Sequence, residues 1–313
     1  MLQLGLQFLV GIGILLFSTR VFVRSAEKIS LAFRVSPLVI GATVVAIGTS
    51  LPELAVSVIA SLKGDVGLAL GNIIGSNITN IFLVLPVGIL IGKLRIGTTK
   101  TQRNVLMLAI VTLLFIFFYL WSVPSLIAGK ICLAGAIAVT IIESVWGITG
   151  RTHEDVKRYK KINKVFFRIH DVFIILAVFG GIILGGFIVV ASIQRLSQVT
   201  GLSTTVLGLS LSAIATSLPE LMTTIFSERD HEDKMTIGNI MGSNLYNLLL
   251  IGGLSLTISS WGTIGNHELL TLVGATAALM IITLVFKGKV IPKYVGFLLL
   301  ILFAYYIYQL KGI

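Results

Sequence analysis

Two glutamates, Glu53 and Glu220, stand in the middle of long apolar stretches of this 313-residue chain. An acid at membrane depth costs on the order of a few kcal/mol even on lenient insertion scales, so it is expected to face a cavity and a partner. Each glutamate follows a Thr-Ser pair. Thr49, Ser50, Thr216 and Ser217 therefore offer hydroxyl oxygens one turn before the acids, and Ser76, Asn80, Ser243 and Asn247 add neutral oxygens on the apolar stretches that follow. Sets made only of oxygen suit hard cations, and Ca²⁺ commonly takes about 6–8 such ligands. No His or Cys cluster points to zinc or copper, and no Lys or Arg lies deep enough to pair with both acids. Pro52 and Pro219 stand beside the acids, remove an amide donor and disfavour helix in the residue before them. Carbonyls near Ala46 and Ala213 are expected to be freed and to face an ion, in broken helices of the kind tolerated where they line a cavity.

The two sets repeat. At an offset of 167 residues AIGTSLPEL (Ala46–Leu54) falls on AIATSLPEL (Ala213–Leu221), and GNIIGSNITN (Gly71–Asn80) falls on GNIMGSNLYN (Gly238–Asn247). Two motifs at one spacing indicate duplication. Gly71, Gly75, Gly238 and Gly242 have the small-xxx-small spacing of close helix packing. Asn72, Asn77, Asn239 and Asn244 read as interhelical hydrogen-bond partners in preference to the alternative, ligands.

The elements that must position these residues are membrane helices. The composition is 56% hydrophobic and 12% charged, with mean hydropathy +1.01, whereas about a quarter of the residues of a soluble domain are charged. A helix crossing the hydrocarbon layer needs about 20 apolar residues. Ten stretches qualify: Leu2–Val23, Val35–Leu62, Val66–Gly92, Asn104–Ser122, Ser125–Thr149, Val172–Ser197, Ser203–Phe226, Met235–Ser259, His267–Phe286 and Val290–Leu310. The expected fold is all-α and polytopic, with ten transmembrane helices as two inverted five-helix repeats. Residues 1–149 form the first, 150–171 a basic cytoplasmic loop and 172–313 the second. Five helices per half reverse the second copy, the plan of many secondary transporters with midplane sites at the repeat interface. The first apolar run is followed by Arg24 and Lys28 rather than a cleavage site, so it reads as a helix that stays.

The net charge of +11 does not indicate nucleic acid. With alternating helices, Arg24, Lys28, Arg34, the basic residues of 93–103, those of 151–168, Arg229, Lys234 and Lys287, Lys289 and Lys293 share one side. The other holds only Lys63, Lys130, Arg195 and Lys311. Loop Lys and Arg stay cytoplasmic, which places both termini outside the cell. The lone Cys132 permits no intrachain disulfide and reads as packing. Glu143 is expected to snorkel from the end of its helix, and Glu228, Asp230, Glu232 and Asp233 to form a solvated charged loop.

The paired TSLPE and GNxxGSNxxN segments resemble the two alpha-repeats of the sodium/calcium exchanger family, in the cation/calcium antiporter superfamily. The resemblance implies ions held between the second, third, seventh and eighth helices while helices one and six slide. It implies Ala46, Thr49, Ser50, Glu53, Ser76 and Asn80 as ligands from the first repeat, and Ala213, Thr216, Ser217, Glu220, Ser243 and Asn247 from the second, with the alanines using their carbonyls. Many relatives carry Asp where this chain has Asn247, and potassium-dependent ones tend to have it in both repeats. Proton-coupled relatives usually add a Glu to the GN motifs, which GNIIGSN and GNIMGSN lack, so sodium coupling is favoured and a proton/calcium exchanger is the alternative. The central loop is too short for the regulatory domains of animal exchangers.

The expectation is thus a plasma-membrane antiporter for Na⁺ and Ca²⁺, with the lipid bilayer as its surroundings, no cofactor, no nucleic acid and no obligate protein partner. A channel would use a similar acidic ring, but inverted halves with prolines beside the acids favour alternating access. An intramembrane protease would need two membrane aspartates or a Ser–His pair. No Asp lies deep in any apolar stretch, and the four histidines lie near loops.

Overall fold

A computed structural model describes residues 2–32, 46–96, 99–149, 169–229 and 233–310. They are almost entirely helical. In chain order the helices are α1 (Leu2–Ala32), α2 (Ala46–Thr49), α3 (Leu51–Leu62), α4 (Val66–Thr79), α5 (Leu85–Ile91), α6 (Thr99–Leu120), α7 (Ser125–Thr149), α8 (Ile169–Thr200), α9 (Thr204–Leu207), α10 (Ala213–Thr216), α11 (Leu218–Arg229), α12 (Asp233–Tyr246), α13 (Gly252–Ile258), α14 (Asn266–Val285) and α15 (Lys293–Gln309). Three π-helical turns interrupt the series, at Asn80–Val84, Gly208–Ser212 and Asn247–Ile251.

Eight helical stretches among the described residues are long and apolar enough to cross a membrane. Boundaries differ from the hydropathy reading where polar residues continue a helix. α1 runs to Ala32 rather than Val23, and α8 begins at Ile169, inside the expected central loop. Backbone hydrogen bonds carry a helix past the edge of its apolar run, and hydropathy marks only that edge. The rest of the central loop, and residues 35–45 of the second expected stretch, lie outside the described residues.

Burial is inverted relative to a soluble protein. Leu6, Phe17, Ile110, Phe173, Phe297 and Ile301 are exposed, whereas Glu53, Glu220, Asn80 and Asn247 have no exposed surface at all. An apolar solvent reverses the usual assignment, and polar groups must find partners inside.

Two packing units position the centre. α1 lies along α8, and both lean on α3. Phe8, Ile12 and Leu15 meet Ile182, Val189 and Ile193 in one apolar cluster. A second, larger cluster joins α4–α7 to α12–α15. Opposite the basic end, Asp65 caps α4 by accepting from the Leu68 amide at 3.2 Å. It also accepts from Gln194 Nε2 at 3.0 Å and Thr204 Oγ1 at 2.7 Å, tying α8 and α9 to α4.

α4 crosses the chain around the second π turn at backbone contact. A Cβ on Gly71 would lie 2.6 Å from the Thr205 carbonyl oxygen, and one on Gly75 2.6 Å from that of Leu209 and 2.8 Å from the Ala213 Cβ. The packing role expected of these glycines holds for this pair, while a Cβ on Gly238 meets no described atom within 4 Å. Gly75→Val is expected to destabilise the fold by about 1–3 kcal/mol through overpacking. Thermal unfolding in detergent checks this, and an unchanged midpoint would mean that the crossing has slack.

Candidate cation site

Both TSLPE segments break their helix at the serine. Ser50 (φ −87°, ψ 10°) separates α2 from α3, and Ser217 (φ −78°, ψ 7°) separates α10 from α11. The prolines lie in the first turn after each break, where a proline is well tolerated. The carbonyl expected to be freed at Ala213 is not free. It accepts the Ser217 amide at 3.0 Å. The reason is register: the amide missing at Pro219 would have reached Ala215, four residues back, and leaves Ala213 in the preceding turn. A carbonyl has two lone pairs, so engagement by one amide still leaves it able to meet a cation. Ala46 is the first residue of α2.

The breaks bring the acids of the two halves to a common centre, and each serine serves the other half's glutamate. Ser50 Oγ donates to Glu220 Oε1 at 3.1 Å, and Ser217 Oγ donates to Glu53 Oε1 at 3.2 Å. Ser243 Oγ adds a second bond to Glu220 Oε1 at 3.1 Å. The threonines are held by amides across the same divide. Thr49 Oγ1 donates to Asn239 Oδ1 at 3.1 Å, and Thr216 Oγ1 to Asn72 Oδ1 at 3.3 Å. Asn72 also accepts from Ser212 Oγ at 2.7 Å and donates to Ser57 Oγ at 3.0 Å. Asn80 Nδ2 donates to Asn244 Oδ1 at 2.9 Å. Of the asparagines read as structural, Asn72, Asn239 and Asn244 make the interhelical hydrogen bonds expected of them, while the Asn77 side chain donates within its own helix, to the Ile73 carbonyl at 2.8 Å. Ser212 was missed, because the repeat pairs it with Val45 and no motif flagged it.

The π turns start on two of the candidate ligands. The Leu85 amide reaches back five residues to the Asn80 carbonyl, and the Gly252 amide does the same to Asn247. The extra residue per turn re-aims the side chains around it, and such turns are frequent at functional sites.

What remains unsatisfied defines the chemistry. Glu53 Oε2, Glu220 Oε2, Ser76 Oγ, Asn80 Oδ1 and Asn247 Oδ1 are all buried with no hydrogen-bond partner among the described residues. Each such buried group calls for an unseen partner. Neither glutamate forms an ion pair with a described Lys or Arg. Oxygen acceptors of this number, two of them anionic, fit one or more hard cations.

The profile of the family described as sodium/calcium exchanger protein matches residues 4–142 and 170–311 of this chain. The chain belongs to that family. A putative antiporter, CaxA, from Alkalimonas amylolytica is 31% identical over 314 residues, covering 96% of this chain and 97% of its own. Sodium/calcium exchanger MaX1 from Methanosarcina acetivorans is 29% identical over 282 residues, covering 79% and 81%. The solved sodium-calcium exchanger NCX_Mj, soaked with 2.5 mM Na⁺ and 10 mM Sr²⁺, superimposes with a TM-score of 0.65 at 29% identity, over 98% of this chain and 99% of that one.

Two other acids of this exchanger do not sit where the sequence reading put them. Glu143 does not snorkel: it is buried and interacts electrostatically with Arg103. A charge that meets an opposite charge between helices has no need to reach the headgroups. Glu228 is not part of a solvated loop. It lies within α11, 2% exposed, because α11 continues through it to Arg229 and turns it inward; Asp230 and Glu232 lie outside the described residues.

Proposed function

We propose that this exchanger carries Ca²⁺ against Na⁺ by alternating access, with the ions held by Glu53 and Glu220 at the junction of two inverted five-helix halves. The halves are residues 1–149 and 172–313, joined by the basic segment 150–171. The observation that carries the reading is the set of buried oxygens without donors, drawn from both repeats: Glu53, Ser76 and Asn80 from one, Glu220 and Asn247 from the other. Thr49, Ser50, Thr216, Ser217 and Ser243 complete the ligand set by turning a hydroxyl lone pair to the ion, and Ala46 and Ala213 offer carbonyls. The paired breaks at Ser50 and Ser217, the paired π turns at Asn80 and Asn247 and the crossed serine–glutamate bonds support an inverted duplication. Ten spans follow when the helices around the Ser50 break and the shorter apolar α15 join the long ones. The protein then sits in the plasma membrane with its basic loops inside and both termini outside.

Two carboxylates explain why such a site exchanges rather than leaks. Occluding an uncompensated double negative charge in a low-dielectric interior costs several kcal/mol per ion. One Ca²⁺ removes that charge, and so do two Na⁺. Only loaded forms cross readily, so one ion's passage obliges the other's return. The test is calcium uptake into proteoliposomes under sodium, potassium or proton gradients applied separately. Uptake driven by sodium alone is expected. Uptake driven by protons, with sodium inert, would overturn sodium coupling in favour of a proton/calcium exchanger.

Asn247 makes a separate prediction. Both its amide atoms are buried without a partner, so Asn247→Asp places a third carboxylate among the ions. Protons then compete with metal for one more anionic ligand. Exchange is expected to persist, with steeper inhibition by mild acid and altered preference among cations. A variant that matches the wild type at every pH and ion ratio would remove Asn247 from the site.

A further inference from the structure

The π turn at Gly208–Ser212 is held by a side chain from another helix. Within the turn, the Ala213 amide reaches back five residues to the Gly208 carbonyl and three to that of Ser210. It passes over the Leu209 carbonyl, which lies four back and would be its acceptor in an α-helix. Tyr306 brings a donor to that carbonyl instead, with its Oη at 2.9 Å. Tyr306 stands on α15, 97 residues away in sequence, and is 1% exposed. α4 also presses on the same carbonyl, since a Cβ on Gly75 would lie 2.6 Å from its oxygen. α15 itself is anchored elsewhere, against α5 and the first π turn.

The turn decides where two polar groups of the site point. Ser212 is its last residue, and the Ser212 hydroxyl donates to Asn72 Oδ1 at 2.7 Å. Ser217, at the helix break that follows, donates to Glu53 Oε1 at 3.2 Å. A π turn holds one residue more than an α turn. If this one closed to α, the chain after it would rotate by about 100° relative to the chain before it. Ser217 would then no longer meet Glu53. The Tyr306 hydroxyl favours the π form because it fills the place that the Ala213 amide leaves. At the offset of 167 residues Tyr306 pairs with Val139, which has no side-chain donor, so the repeat does not account for the hydroxyl.

We propose that Tyr306 is a positioning residue for ion binding: its hydroxyl holds the Gly208–Ser212 turn in the register that aims Ser217 at Glu53 and Ser212 at Asn72. It acts through the turn and touches no ion itself. The proposal rests on the exchange reading above.

The test is Tyr306→Phe, which keeps the ring and removes only the hydroxyl. Its control is Tyr119→Phe, which removes a hydroxyl bonded at 2.9 Å to both the carbonyl and the amide of Ile264, in the segment before α14. Three measurements are made on each: equilibrium binding of radiolabelled calcium in detergent, calcium KM and saturated rate in proteoliposomes, and the thermal midpoint without ions. Tyr306→Phe is expected to weaken calcium binding and raise KM about tenfold, the scale of one buried hydrogen bond, with the saturated rate changed less than about twofold. Its thermal midpoint falls no further than that of Tyr119→Phe, which keeps wild-type binding and KM. Unchanged binding and KM in folded Tyr306→Phe would overturn the proposal and leave the exchange reading in place. Equal weakening in both variants would make Tyr306 a general support of the fold and overturn it too. Wild-type protein that binds no calcium would remove the exchange reading, and this proposal with it. If Tyr306→Phe fails to fold, Ser212→Ala, which removes the bond that the turn directs at Asn72, is read in the same assays. Weaker binding then supports the proposal, and wild-type binding rejects it.

Discussion

Glu53→Gln and Glu220→Gln are each expected to lower sodium-driven calcium uptake by about a hundredfold or more, with the protein still folded. A unit charge about 4 Å from another contributes about 4 kcal/mol at an effective dielectric of about 20, and relaxation of the site recovers only part of that. Glutamine is nearly isosteric with glutamate. Its amide oxygen can still accept from Ser217, or from Ser50 and Ser243, where the carboxylate Oε1 does now. The fold is retained for that reason, and the buried charge is what disappears. Elution as a monodisperse peak with wild-type thermal stability establishes folding, and uptake into proteoliposomes measures function. Both variants matter alike, because each carboxylate has one oxygen left without a donor. Near-normal exchange in either folded variant would sink the assignment of the central site.

The second large effect is electrical. With two sodium ions per calcium, both loaded forms of the two-carboxylate site are neutral and exchange moves no net charge. With three, the sodium-loaded form carries one positive charge. The neutral oxygens of Thr49, Ser50, Ser76, Thr216, Ser217 and Ser243 are numerous enough for a third sodium, and the buried Asn247 amide adds another oxygen. An electrogenic cycle is therefore expected. One net charge couples to voltage at about 2.3 kcal/mol per 100 mV, which shifts the calcium ratio held at equilibrium about fiftyfold. In sodium-loaded vesicles, calcium entry exports net positive charge, so an inside-positive potential speeds uptake and an inside-negative one slows it. The measurement is calcium uptake with potential clamped at opposite signs. Uptake indifferent to potential would establish the two-sodium cycle and return the extra hydroxyls to helix packing.

Much of the architecture was legible because membrane depth leaves a polar residue few choices. Glu53 and Glu220 stand out against apolar neighbours, and the TSLPEL and GNxxGSN repeats declare that whatever one half does, the other does as well. The serine before each glutamate could be named as a companion of the acids. Its actual partner, the acid of the opposite half, could not, since Ser50 and Glu220 are 170 residues apart. The same holds for Thr49 with Asn239 and for Ser212 with Asn72. Proline marked the helix breaks at Ser50 and Ser217, but hydrogen-bond register, a matter of three-dimensional turns, decided that the Ala213 carbonyl stays engaged.

The chain's own order of residues determined the membrane class, the repeated motifs and the two acids set among apolar neighbours, because hydropathy and repetition are properties of local sequence. Only the tertiary structure decided which of the many candidate oxygens are left without a donor. It also decided that Glu228, in a run of charges suited to a solvated loop, lies buried beside Gly88 and Gly92. Burial of a charge depends on what another segment leaves open for it. That segment lies more than a hundred residues away, where two glycines without side chains supply the space.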